Sequence, residues 1–129
     1  MSFRYDKLEN SIVTVIKDNV KGKDIGVAFS GGLDSGLVSA IAKEYANSVT
    51  LYTCGSENAY DVIMAKDLSE KLGLPWVHVQ ISKENIEDLI KEMISATGTT
   101  DPFTISYELQ LFCVCKASKE DCILTGQGA

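Results

Sequence analysis

Apolar residues along the chain switch repeatedly between two spacings. Leu8, Ile12, Val15 and Ile16 recur at helical intervals, which predicts an amphipathic helix closing near Gly22. Ile25-Gly26-Val27-Ala28-Phe29 is a short unbroken apolar run, the mark of a buried parallel strand, and it leads into the small residues Ser30-Gly31-Gly32. A helix follows, with Leu37, Val38, Ile41, Ala42 and Tyr45 on its apolar face. The same alternation returns in a strand over Val49–Cys54, a helix with Val62, Ala65, Leu68 and Leu72 inward, and a strand over Trp76–Ile81 after the break at Gly73 and Pro75. Ile86, Leu89, Ile90, Met93 and Ile94 define the next helix, with Ser82 as its expected N-cap and Gly98 as its end. Beyond the loop Thr99-Thr100-Asp101-Pro102, Ile105, Leu109, Phe112 and Cys113 predict one more helix before a final strand, Cys122–Thr125.

Strands alternating with helices imply an α/β fold: a doubly wound parallel sheet with right-handed crossovers and helices on both faces. In such sheets ligands bind at the carboxyl ends of the strands, so residues 30–35, 54–57 and 125–129 are expected to converge on one crevice. A length of 129 residues suits a single domain spanning 1–129.

The chain is 45% hydrophobic and 23% charged, a globular profile without low-complexity runs. Its net charge of −6, with Arg4 the single arginine, argues against a nucleic-acid partner. No apolar run approaches the ~20 residues of a membrane span, and the start has no signal-peptide pattern, so a cytoplasmic protein is expected. Cys54, Cys113, Cys115 and Cys122 lack zinc-site spacing and read as reduced packing residues.

The candidate chemistry lies in Ser30-Gly31-Gly32-Leu33-Asp34-Ser35. Consecutive small residues between a strand and a helix expose backbone N–H groups, and the positive end of the helix adds partial charge to them. Ser30 and Ser35 contribute hydroxyls, and the glycines permit an approach that a Cβ would block. The loop is an anion nest.

SGGLDS after an apolar strand resembles the signature loop of the PP-loop ATP pyrophosphatases, members of the Rossmann-like adenine nucleotide alpha hydrolase (HUP) fold class. Those enzymes bind ATP by its β- and γ-phosphates there and cleave between α and β. The segment from Lys7 through the loop, then Asp61 and its helix, and Thr100-Asp101-Pro102 are similar to the synthetase domain of asparagine synthetases. Ile123-Leu124-Thr125-Gly126-Gln127-Gly128-Ala129 is similar to that family's second nucleotide motif, an apolar strand followed by SGEG[AS]DE. Together the two motifs point to the asparagine synthetase and β-lactam synthetase branch.

The resemblance implies an ATP-dependent carbon–nitrogen ligase. A small carboxylate would attack the α-phosphate, releasing pyrophosphate and leaving an acyl-adenylate, from which ammonia or an amine displaces AMP. By the same resemblance Ser30, Gly31, Gly32, Leu33, Asp34 and Ser35 hold the phosphates, Ala28 and Cys54 flank adenine, and Gly126 lies near the ribose. Asp34, the acidic residue inside an anion site, fits only if a cation accompanies the phosphates, so Mg²⁺ is expected there. Asp34 and Gln127 are the candidate catalytic residues.

Three departures refine this. The chain begins Met1-Ser2, without the cysteine nucleophile of a glutaminase half, so free ammonia, a separate glutaminase or another amine would supply the nitrogen. Gln127 stands where asparagine synthetases carry glutamate, and a neutral amide cannot accept a proton as a carboxylate does. The sequence stops at Ala129, inside the second motif, so a chain incomplete at its C-terminus is expected, binding nucleotide without efficient turnover. A strand order of 3-2-1-4 would leave the last strand as an edge that favours a homodimer or aggregation. The competing readings are a nucleotide-binding or sensing module without catalysis, and NAD synthetase-like or tRNA-modifying enzymes of the same superfamily. His78 reads as a packed or solvated residue, Trp76 as a core residue, Asp101 as a helix cap, and Glu84, Glu87 and Asp88 as a solvated face in the first turns of their helix.

Overall fold

The computed structural model describes residues 2–30, 32–120 and 122–125. In chain order its elements are α1 (Ser2–Val20), β1 (Asp24–Ala28), α2 (Leu33–Tyr45), β2 (Ser48–Gly55), α3 (Tyr60–Leu72), β3 (Trp76–Gln80), α4 (Ile86–Thr97), α5 (Pro102–Ala117) and β4 (Cys122–Thr125). The strands form one sheet in the order β3-β2-β1-β4, every neighbouring pair parallel. This is the expected doubly wound α/β sheet. The chain steps outward from β1 to β3, then returns through α4 and α5 to place β4 on the far side of β1. That reversal makes the β1/β4 junction the switch point at which a crevice opens.

Strand alternation assigns side chains to two faces. Ile25 and Val27 of β1 lie beside Val49 and Leu51 of β2. They join Val20, Phe29, Ala42 and Ala65 in a fully enclosed apolar cluster. On the other face Met93, Leu109 and Cys113 are buried against Cys54, Val79 and Ile81, so α4 and α5 cover the β2–β3 side. Gly26 sits on this second face, where an added Cβ would lie 2.6 Å from Ile123 Cδ1 of β4.

Several helix faces differ from expectation. In α1, Leu8 and Val15 are 58% and 61% exposed, whereas Val20 is buried and Ile16 packs beside it. The helix lies against α2, so only a narrow stripe spaced by four residues is covered. In α2, Leu37 points outward, while Ser35 and Ser39 are buried with Ala42. Small side chains let the helix sit close to the sheet, and the Ser39 hydroxyl is satisfied by donating to the Ser35 carbonyl at 2.7 Å. In α3, Val62 and Ala65 are buried and Leu68 and Leu72 pack inward, as their spacing predicts.

Ser82 is not the cap of α4. Asn85 occupies the N-cap position, its Oδ1 accepting from Ser82 N–H at 2.7 Å and its Nδ2 donating to the Gln80 carbonyl at 3.0 Å. The turn is thus tied to the end of β3, which delays the helix to Ile86. Gly98, at φ 73°, closes α4 as expected. Asp101 caps α5 by accepting from Phe103 N–H at 3.3 Å, Thr104 N–H at 3.4 Å and Thr104 Oγ1 at 2.8 Å. Among the described residues, no helix is long and apolar enough to cross a membrane, and β4 pairs with β1 alone.

Candidate functional site

A cleft of about 380 Å³ opens at the carboxyl ends of β1, β2 and β4. Its floor is the segment leaving β1. Phe29 N–H donates to the Tyr52 carbonyl at 2.8 Å, and the Phe29 carbonyl accepts from Thr53 Oγ1 at 2.6 Å. Thr53 Oγ1 in turn accepts from Trp76 Nε1 at 2.8 Å. The start of the loop is therefore pinned to β2 and, through it, to β3.

The loop itself is closed by two hydroxyls. Ser30 N–H donates to Ser35 Oγ at 3.2 Å, the two serine oxygens are 3.1 Å apart, and Gly32 N–H donates to Ser30 Oγ at 3.3 Å. A Cβ at Gly32 would lie 3.3 Å from Ser30 Oγ, so a side chain there would press on this arrangement. Gly32 occupies the N-cap position of α2 and brings no side-chain acceptor to the helix end. The first turn of α2 thus meets the cleft as a helix amino terminus without that self-cap, the arrangement that favours an anion.

Ala28, Ser30, Gly32, Asp34, Ser35 and Cys54 all line this cleft, as does Thr125 at the end of β4. Leu33 is the first residue of α2, and its side chain lies outside what is described. Gly31, Gly126 and Gln127 also lie outside the described residues. Glu57, expected at the crevice, is not among the residues that line it. Sequence reasoning missed Asp61, in the first turn of α3, and Gln110, Leu111 and Val114 of α5. The spacing of 110, 111 and 114 is helical, but only the packing of α5 over β2 turns that stripe toward the loop.

Burial, and then the neighbouring Cys113, push the Cys54 thiol up to about 12, so it faces the cleft as a neutral, weakly polar group. Cys113 is buried too, but Cys115 is exposed, contrary to a packing role. Tyr52 donates to Glu120 Oε2 at 2.7 Å, and Ser118 Oγ donates to the same oxygen at 2.8 Å. Burial alone would raise the Glu120 carboxyl, but these hydrogen bonds outweigh it and hold its pKa below the ordinary value. Burial, reinforced by the bond to Glu120, raises Tyr52.

His78 and Trp76 stand apart from the cleft. Their rings stack with centroids 5.8 Å apart, and His78 Nε2 lies 2.9 Å from the Gly55 carbonyl, to which it donates.

The model of the family described as asparagine synthase matches residues 8–129. An inferred glutamine-hydrolyzing asparagine synthetase of Methanocaldococcus jannaschii is 31% identical over 126 residues, which cover 95% of this chain and 23% of that protein. Glutamine-hydrolyzing asparagine synthetase 1 of Arabidopsis thaliana is 28% identical over 134 residues, covering 94% and 22%. The chain therefore spans under a quarter of the length of these relatives. Among solved structures, NMN synthetase from Francisella tularensis superposes with a TM-score of 0.56 at 18% identity, over 81% of this chain and 44% of that one. NH3-dependent NAD synthetase from Campylobacter jejuni gives 0.55 at 18% identity, over 79% and 45%. At such identities the likeness speaks for the fold alone, a parallel sheet flanked by helices. The sequence match runs from α1 to the last residue and carries the assignment further: the chain belongs to the asparagine synthase family.

Proposed function

We propose that this cleft binds ATP by its phosphates and that the chain is the nucleotide-binding part of an ATP-dependent amidating ligase, which adenylates a small carboxylate and releases pyrophosphate. The observation that carries this reading is the pair of hydroxyls, Ser30 and Ser35, held 3.1 Å apart around Gly32 at the amino end of α2. They sit at the switch point of the sheet, where an extended anion meets both the hydroxyls and the helix terminus. By the family likeness, Gly31 and Leu33 would complete the phosphate site, Ala28 and Cys54 would flank the adenine, and Gly126 would contribute near the ribose.

Asp34 lines the same cleft, and a carboxylate among phosphate-binding groups is repulsive unless a cation lies between. Among the described residues no cluster of three His, Cys, Asp or Glu could hold a metal unaided. That donor set suits Mg²⁺, which is commonly held by one or two carboxylates together with substrate phosphates. Asp34 would hold it, with Asp61 as a second carboxylate on the cleft wall. The ion would supply neutralising charge to the phosphate oxygens.

In the reaction, a carboxylate oxygen of the substrate bonds to the α-phosphorus as the bond to pyrophosphate breaks. Ammonia or an amine then attacks the acyl carbon, and AMP departs. The nitrogen would come as free ammonia, as an amine, or from a separate glutaminase. The loop contributes by stabilising charge on the departing pyrophosphate, without a protein nucleophile. Gln127 would position the substrate or a water, since an amide is no general base.

The test is binding and product formation. With Mg²⁺ present, calorimetry should register ATP binding, and Ser35→Ala should weaken it about tenfold, the effect of one hydrogen bond to a charged group. Incubation with ATP, Mg²⁺, candidate carboxylates and ammonia should yield AMP and pyrophosphate in equal amounts. ATP binding without either product would reduce the chain to a nucleotide-binding module, and no loss in Ser35→Ala would remove the loop from the site.

A further inference from the structure

The cleft is mixed in chemistry: Ser30, Asp34 and Ser35 of the loop are polar, whereas Ala28, Cys54, Leu111 and Val114 add apolar or weakly polar lining, and Gln110 is the one side-chain amide among the described lining residues. We propose that Gln110 is the base-reading residue of this cleft: its side-chain amide pairs with the edge of the purine of a nucleotide whose phosphates lie at the loop. The inference rests on the reading of the cleft as an ATP site.

The other polar groups on this wall are spoken for. The Thr53 hydroxyl donates to the Phe29 carbonyl and accepts from Trp76 Nε1. The Tyr52 hydroxyl donates to Glu120 and accepts from Lys119 N–H. Gln110, two turns into α5, lines the cleft and has no side-chain hydrogen bond among the described residues, so both its donor and its acceptor are unused.

An amide presents a donor and an acceptor in one plane, and adenine presents the complement, an exocyclic N–H beside a ring nitrogen. The side chains of Asp34 and Asp61 carry no N–H beside their oxygens and cannot offer the amide's pairing pattern. Apolar side chains such as Leu111 and Val114, beside the weakly polar Cys54 thiol, are suitable company for the flat faces of a base. Gln110 is solvent-exposed on a helix capped independently by Asp101, so its replacement leaves the fold intact.

The experiment compares calorimetric affinities of the 129-residue chain for ATP, GTP and inorganic pyrophosphate, all with Mg²⁺. Gln110→Ala should weaken ATP about tenfold, the scale of one two-point base contact, and leave pyrophosphate affinity unchanged. Gln110→Glu should weaken ATP further and shift preference toward GTP, because a carboxylate accepts from the guanine N1–H and amino group but is repelled by the adenine ring nitrogen. Equal ATP affinity in Gln110→Ala and the unaltered chain would overturn the proposal. So would a parallel loss for pyrophosphate, which would mark general damage to the cleft. If the unaltered chain bound neither ATP nor pyrophosphate, the ATP reading itself would fall, whereas ATP binding indifferent to Gln110 would remove this residue alone.

Discussion

The two faces of the sheet are built from the same strands but from different kinds of residue. On the face beneath α2 and α3, β1 and β2 present Ile25, Val27, Val49 and Leu51, and every one of them is buried in an apolar cluster. On the opposite face the same strands present Gly26 and Ala28 beside Thr50 and Tyr52. Here Tyr52 is held by a hydrogen bond to Glu120, and Ala28 lines the cleft. Large apolar side chains on one side hold the sheet rigid by exclusion of water. Small and polar ones on the other leave space at the strand ends, and a ligand site needs that space on a scaffold that does not move.

If the division is real, truncation on the first face should cost most. Leu51→Ala removes a fully buried side chain from the centre of the cluster, and urea denaturation should show a loss of about 2–5 kcal/mol. A loss well under that range would mean that the cluster collapses around the gap and is not the rigid side. On the second face the sensitive change is an addition. Gly26→Ala would set a Cβ 2.6 Å from Ile123 Cδ1, 3.1 Å from Ser118 Oγ and 3.3 Å from Glu120 Oε2. The expected loss is about 1–3 kcal/mol, since β4 or the segment before it must shift to make room. Tolerance of alanine here would show that β4 is loosely seated.

Contiguity decided how much of this was legible in the sequence. The loop Ser30–Ser35 could be read directly, because its strand, its small residues and its helix follow one another without a gap. The strand order 3-2-1-4, suggested by the likeness to related folds rather than by any local pattern, is the one observed, and the caps at Gly98 and Asp101 also proved right. The two faces of β1 were hidden by reading Ile25–Phe29 as one apolar run, although its large and small residues alternate. Gln110 and Asp61 could not be read as cleft residues, since nothing local to α5 or α3 says which side meets the loop. The bond between Tyr52 and Glu120 joins residues 68 apart in sequence and has no local signature. Leu8, Val15 and Leu37 misled because helical spacing reveals a stripe, not whether a neighbour covers it.

The polar side can also be probed through its pH dependence. Tyr52→Phe keeps the ring in place and removes one donor from Glu120, which at neutral pH should cost about 1–3 kcal/mol. The folded-state pKa of Glu120 is depressed, so its contribution is present above the unfolded value of about 4.3 and fades as pH falls through the folded value. The folded-state pKa of Tyr52 is raised, so its contribution is full below about 10 and fades as pH rises toward and through the folded value. The stability gap between the unaltered chain and Tyr52→Phe should therefore be widest between about pH 5 and 9 and narrow on both sides. Urea midpoints at pH 3.5, 7 and 10.5 would trace it. A gap independent of pH would mean that Tyr52 serves this face by packing alone, and the contrast between an apolar and a hydrogen-bonded side would then rest on Thr50 and the cleft residues rather than on an ionised carboxylate.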